Sequence, residues 1–413
     1  LQSYLLAYST PNYELIDQTK YIESELIGKQ IELKDLIYPE DIVLHFGNAK
    51  HTVLYPDLYP SSFYSLIFNL VKNRIFDGLR LANDFSLDWT AYRNEHEGVE
   101  LRFGDGIPLN VLQSNGVMQI KGDQQTPIQP INRMFITSEN NEEVRVFFFS
   151  DDISAVYEAT TDINVKNVET FIGFGELLPA YHTNDGRLYL PDQPLSFIKF
   201  RHSYSQFTSE QMQKSLFVDP NNTKYFSERD GSRTEIYSDG KRALEIDKEQ
   251  SWMVYSDPIT TPGEDVNDLR ANLFTAVKFI NEHGGWNGNY MISSISENSE
   301  TEGQTFLFRQ YVESYPDISS KLANFGFIRI VLQHGIVTHY ERSLINIDTI
   351  KTDINEVVLP GGEELAQLIL SNGGSFNVET VFPAYRASIT KDHVEFIPVW
   401  AMKLRDGTID YLE

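Results

Sequence analysis

The stretch Phe279–Tyr290, FINEHGGWNGNY, decides how this chain is read. It sets a Glu-His pair, three glycines and a tryptophan side by side, which suits a catalytic centre as well as a helix terminus. A second stretch separates the two readings. In ILSNGGSFNVET, Ile369–Thr380, a Gly-Gly pair again follows an apolar run, with no Glu-His beside it. Upstream of the first copy, Leu269, Leu273, Ala276, Val277 and Ile280 form one helical stripe. Gly284 then falls at C′, where a positive φ is needed, and Gly285 lets the chain turn away. His283 lies in the last turn, where a positive charge suits the helix dipole. A glycine pair that recurs without the neighbouring chemistry reads as a helix stop.

Working outward, the two stops anchor a repeat. One copy runs strand (Arg242–Asp247), strand (Trp252–Ile259), helix (Asp265–His283), strand (Tyr290–Ser296), strand (Thr305–Val312). The other runs strand (Phe327–Gln333), strand (Ile336–Leu344), helix (Gly362–Asn372), strand (Val378–Ser388), strand (His393–Leu404). Residue identity between the copies is low, so the repeat is one of topology. Before it, Pro60–Leu81 reads as an amphipathic helix capped by Ser61 or Ser62, with Leu66, Ile67, Leu70, Val71 and Arg74 in step. Glu143–Ser150 reads as a strand, and Thr208 with Gln211 forms a capping box. The expected architecture is α+β in three domains: residues 1–160, 161–316 and 317–413, the last two being similar modules of antiparallel strands with a helix.

The chain has 413 residues and a net charge of −25, from 34 basic against 59 acidic residues. Such a charge repels phosphate backbones and anionic lipid surfaces, and speaks against nucleic-acid binding. No cysteine is present, which excludes disulfides, thiolate metal sites and cysteine nucleophiles. No stretch reaches the ~18–20 apolar residues of a membrane span. The opening LQSYLLAYSTPNYELI has the apolar, tyrosine-bearing character of a membrane–water boundary, as if an anchor preceded it.

Catalytic motifs are sparse. HEGVE, His96–Glu100, approaches the HExxH metal helix but has Glu100 where the second histidine belongs, and reads as a solvated loop. GFGELL, Gly173–Leu178, lacks the third glycine of a dinucleotide loop and reads as a strand turn. His45 with His51, and His334 with His339, flank turns without an evident carboxylate partner. No metal, cofactor or catalytic set is therefore expected. Accidental carboxylate pairs are so numerous that glycosidase chemistry stays open on sequence grounds.

Several segments, in order, resemble the YycH (WalH) family: YSTPNYE (Tyr8–Glu14), GKQIELKDLIYPEDIVLHFG (Gly28–Gly47), RLYLPDQPL (Arg187–Leu195), KSLFVDPNNTKY (Lys214–Tyr225), EIYSDGKRALEI (Glu235–Ile246) and FIPVWAMKLRDG (Phe396–Gly407). The family's usual PAW is here Pro398-Val399-Trp400. The resemblance implies a single N-terminal membrane span, absent from this sequence, with the folded part extracytoplasmic. It implies a non-enzymatic regulator of cell-wall homeostasis in low-GC Gram-positive bacteria, with a YycI-like accessory protein and a WalK-like sensor histidine kinase as partners. It brings no catalytic residues. Tyr4, Tyr8 and Tyr13 are the expected near-membrane contacts. The rival expectations are an envelope ligand-binding module and a carboxylate-based cell-wall hydrolase.

Overall fold

The computed structural model describes residues 30–82, 88–114, 116–121, 130–139, 143–150, 155–183, 185–227, 233–258, 267–298, 303–318, 324–372 and 377–412. It is an α+β chain of three sheets, nearly all pairings antiparallel. Its helices among those residues are α1 (Phe63–Lys72), α2 (Trp89–Glu95), α3 (Leu109–Leu112), α4 (Val165–Gly175), α5 (Ser209–Leu216), α6 (Leu269–Glu282) and α7 (Gly362–Ser371).

The first sheet has ten strands between Asp41 and Pro191. At its centre lie Asp41–Phe46, Glu97–Ile107, Ile131–Glu139 and Glu143–Phe149, each antiparallel to the next. Their side chains alternate between the two faces. Ile42, Leu44, Val99, Leu101, Met134, Ile136, Val146 and Phe148 share one face and one core with α1 and α4. The opposite face carries Asp41, His45, Glu100, Arg102, Arg133, Phe135, Phe147 and Phe149, partly covered by α2.

Local chemistry explains the helix ends. Ser62 caps α1, accepting a hydrogen bond from the Ser65 amide at 3.1 Å. The helix is shorter than its sequence pattern suggested. It stops at Asn73, and Ile75–Leu81 is a strand paired with Val156–Thr161, because Phe76 packs edge-on against Phe148 in the core. Leu66 lies off the buried stripe, which is formed by Tyr64, Ile67, Phe68 and Val71. The Thr208–Gln211 capping box opens α5 as expected. GFGELL is no strand turn: Gly173 and Gly175 close α4, and a Cβ on Gly175 would lie 2.5 Å from a Leu44 methyl. The glycine lets the helix settle onto the sheet.

The middle sheet has nine strands between Lys224 and Ser343. Phe327–Gln333 and Ile336–Ser343, expected to open the last module, belong here, inserted between Gly303–Val312 and Trp252–Ser256. Ile328, Ile330 and Leu332 alternate onto the core that also holds Leu273, Ala276, Val277 and Ile280 of α6, and that burial fixes their sheet. The last sheet joins Leu195–Gln206 to the strands of Ile345–Tyr411. Gln206 pairs directly with Ile345, so the chain enters and leaves the middle module at one point. In both later sheets a helix is followed by an antiparallel strand pair: α6 by Asn289–Asn298 and Gly303–Val312, α7 by Val378–Ile389 and His393–Leu404.

The stretch Phe279–Tyr290 is a helix stop with a docking role. Gly284 and Gly285 take φ of 107° and 60°. The carbonyls they release are met by buried side chains: Tyr340 Oη donates to His283 O at 2.9 Å, and Arg342 Nη1 to Gly285 O at 2.7 Å. Asn281 exchanges two hydrogen bonds with the Ile31 backbone, at 3.0 and 2.9 Å, and accepts a third from Trp286 Nε1. One continuous apolar core joins the first and middle modules around that contact. His283 departs from expectation. It is buried, stacks on Phe279, and its Nδ1 donates to Phe279 O; burial pushes its pKa down to about 4. It is neutral at physiological pH and gives the helix dipole no charge. Gly373 and Gly374, the second copy of the stop, lie outside the described residues, as do Tyr4, Tyr8 and Tyr13.

Candidate functional site: a polar cleft between the first and last sheets

The polar rows of the first sheet open into a cleft of about 500 Å³. Asp41, Arg102, Arg133 and Phe149 stand across four neighbouring strands in one row, and α2 adds Trp89, Thr90 and Arg93. The last sheet closes the far side with Glu379, Thr380 and Lys403, and a loop supplies Asp185 and Arg187.

Glu100 lies fully buried behind two lining residues of the cleft, Arg93 and Arg133. His45 Nε2 donates to its Oε2 at 2.9 Å. Arg93 Nε stands 3.6 Å and Arg133 Nε 3.8 Å from the same carboxylate. Burial works to raise the Glu100 pKa, but Arg93, the His45 hydrogen bond and Arg133 outweigh it and hold the carboxyl well below the usual range. Burial lowers the His45 pKa despite Glu100, so the ring is a neutral donor. His51, edge-on to His45 and to Tyr189, is pushed down to about 3 by burial and acts as one more aromatic ring.

The remaining charges are committed. Arg102 forms a two-pronged pair with Asp41, both contacts 2.6 Å, and lies 5.0 Å over the Tyr189 ring. Arg187 pairs with Asp185 at 2.9 Å. Lys403 contacts Asp105, with Glu379 3.7 Å away. Glu40, packed over Gly104, is pushed up to about 7 by burial, against the pull of Lys403. Asp41 and Asp105, its acidic neighbours, are each tied to a cation.

HEGVE is thus no solvated loop. His96 caps α2, and Glu100 is the charge centre of a core strand. The signal available in sequence was the alternation Val99-Glu100-Leu101-Arg102-Phe103, which is strand periodicity, not helical. His45 does have a carboxylate partner, Glu100, but it lies on a strand 55 residues on, which local reading does not reach, while His51 meets only the rings of His45 and Tyr189. Among the described residues no group of three or more His, Asp and Glu is gathered to hold a metal, and no helix is long and apolar enough to cross a membrane.

A second feature lies on the opposite edge of the last sheet. Ile345–Leu359 is a 15-residue edge strand, and among the described residues no strand pairs with its outer side. Ile350, Ile354 and Val358 stand exposed along it.

Comparisons with known proteins bear on the whole chain. Residues 2–172 match the family model described as YycH protein, N-terminal domain, and residues 185–413 the one described as YycH protein, C-terminal domain. The crystal structure of YycH from Bacillus subtilis is similar, with a TM-score of 0.72 and 18% identity, covering 94% of this chain and 99% of that one. The structure of an uncharacterized protein from Eubacterium rectale aligns with a TM-score of 0.35 and 10% identity over 57% of this chain and 89% of that one. No curated relative matches by sequence.

Proposed function

The chain belongs to the YycH family, and from that premise we propose that it is the extracytoplasmic part of a membrane-anchored, non-enzymatic regulator. Its partners are a YycI-like accessory protein and a WalK-like sensor histidine kinase, and its output is cell-wall homeostasis. A regulator of this kind works by binding one state of the kinase better than another, since equal binding shifts nothing.

The observation that carries the reading is the edge strand Ile345–Leu359, whose outer side pairs with no strand among the described residues. A long edge with exposed apolar side chains is a template for strand addition, which folded proteins otherwise blunt. Its row of free backbone groups fits an accessory protein that contributes a strand, while an N-terminal helix holds the complex at the membrane.

The test is recovery of both partners from membranes by the chain with its N-terminal helix restored, compared between the unaltered sequence and an Ile350→Lys, Ile354→Lys double substitution. Loss of the accessory protein with unchanged thermal stability is expected. Undiminished recovery would remove the edge strand from the interface, and failure of the unaltered chain to recover either protein would remove the regulator reading itself.

A further inference from the structure

The charges gathered around Glu100 are unbalanced, two guanidinium groups to one carboxylate. Arg102, Arg187 and Lys403 each have a carboxylate of their own. Arg93 and Arg133 share one, Glu100, and their Nε atoms stand 3.6 and 3.8 Å from it, beyond hydrogen-bond distance. The short hydrogen bond of Glu100 goes to His45 instead. Arg93 is 5% exposed, and its Nε has no hydrogen-bond partner. Glu40 and Glu379, the other carboxylates of the cleft, stand at its Lys403 end, so around Glu100 two guanidinium groups face one carboxylate beside a cleft of about 500 Å³. A buried cation without a full counter-charge is costly, and a guanidinium fork is shaped for the two oxygens of an oxyanion.

We propose that this cleft is an anion-binding site, anchored by Arg93 and Arg133, that takes the phosphate or carboxylate group of a small molecule. Phe149 and Trp89 supply an apolar wall for the body of the ligand, with Arg93 held 5.3 Å over the Phe149 ring. The far wall comes from the last sheet through Thr380 and Lys403. Occupancy therefore bridges the first and last sheets, which gives a contact-based regulator a place to receive a chemical input. The site stands on its own geometry and does not require the partner assignment above.

The test uses the intact chain, with inorganic phosphate and acetate as probes and chloride at matched ionic strength as the reference. Calorimetric titration is expected to show saturable binding of at least one probe. Arg133→Gln should weaken it by about tenfold or more, as for loss of a charged hydrogen bond. Arg80→Gln, an exposed pair with Glu158 outside the cleft, should leave it unchanged. Preference between the probes assigns the ligand class. Should Arg133→Gln not fold, phenylglyoxal labelling of the unaltered chain serves instead: the bound probe should protect Arg133 and not Arg80. No saturable binding, equal binding in Arg133→Gln, or equal labelling with and without probe overturns the proposal.

Discussion

Asp317 offers a sharp test of how burial is balanced in this molecule. It is fully buried beside Gly326, and its backbone pairs with Tyr385 of the last sheet, so it sits where the middle and last modules meet. Burial pushes its carboxyl from the ordinary 3.8 up to about 7, against the pull of Arg309 and the Ala387 amide. A carboxyl raised in the folded state penalises folding where it must ionise. The folded chain then holds more protons than the unfolded one between about pH 4 and 7, and stability falls as pH rises through that window. Moving the carboxyl from 3.8 to about 7 costs about 4 kcal/mol at pH 8 but only about 1.5 kcal/mol at pH 5. Asp317→Asn keeps the shape and removes the charge. Its stability relative to the unaltered chain should therefore improve by about 2–3 kcal/mol between pH 5 and pH 8. Using this difference cancels the titration of Glu40, His51 and His283, which both chains share. Urea unfolding at the two pH values reads it directly. A difference that is flat with pH, or that grows toward acid, would refute the reasoning.

Two further outcomes follow from the first sheet. Glu100→Gln leaves Arg93 and Arg133 without their shared counter-charge and should destabilise the chain by about 3–5 kcal/mol, seen as a lower urea midpoint with an unchanged slope. Gly98→Ala would place a Cβ 2.5 Å from the Phe135 ring and 2.7 Å from Ile136 O, and overpacking of that kind should lower stability by about 1–3 kcal/mol in thermal unfolding.

What could be read from sequence was what is encoded locally. Thr208 and Gln211 sit three residues apart and cap each other, and Gly284-Gly285 stops a helix by its own conformational freedom. What was hidden depends on distant segments. Whether Phe327–Gln333 opens a new module or completes an old sheet is decided by α6, whose core it joins, and nothing within the strand says so. The cleft was hidden for the same reason. Glu100, His45 and Arg133 are neighbours only because three strands lie side by side in one register, and the alternation around Glu100 marks a strand but not a buried charge. Asn281 likewise reads as a polar helix residue until Ile31 arrives to meet it.

The pairing of Gln206 with Ile345 has a consequence for how the chain is made. The last sheet is stitched from segments on either side of the middle module, so a nascent chain emerging N-terminus first cannot close it until everything between has been synthesised. The strand Leu195–Gln206 must wait, unpaired, through some 140 residues of translation, and a chain halted near residue 344 would carry two finished modules and one stranded edge. By the same connectivity the middle module is an insert in the sequence of the last sheet, although its core is continuous with that of the first module.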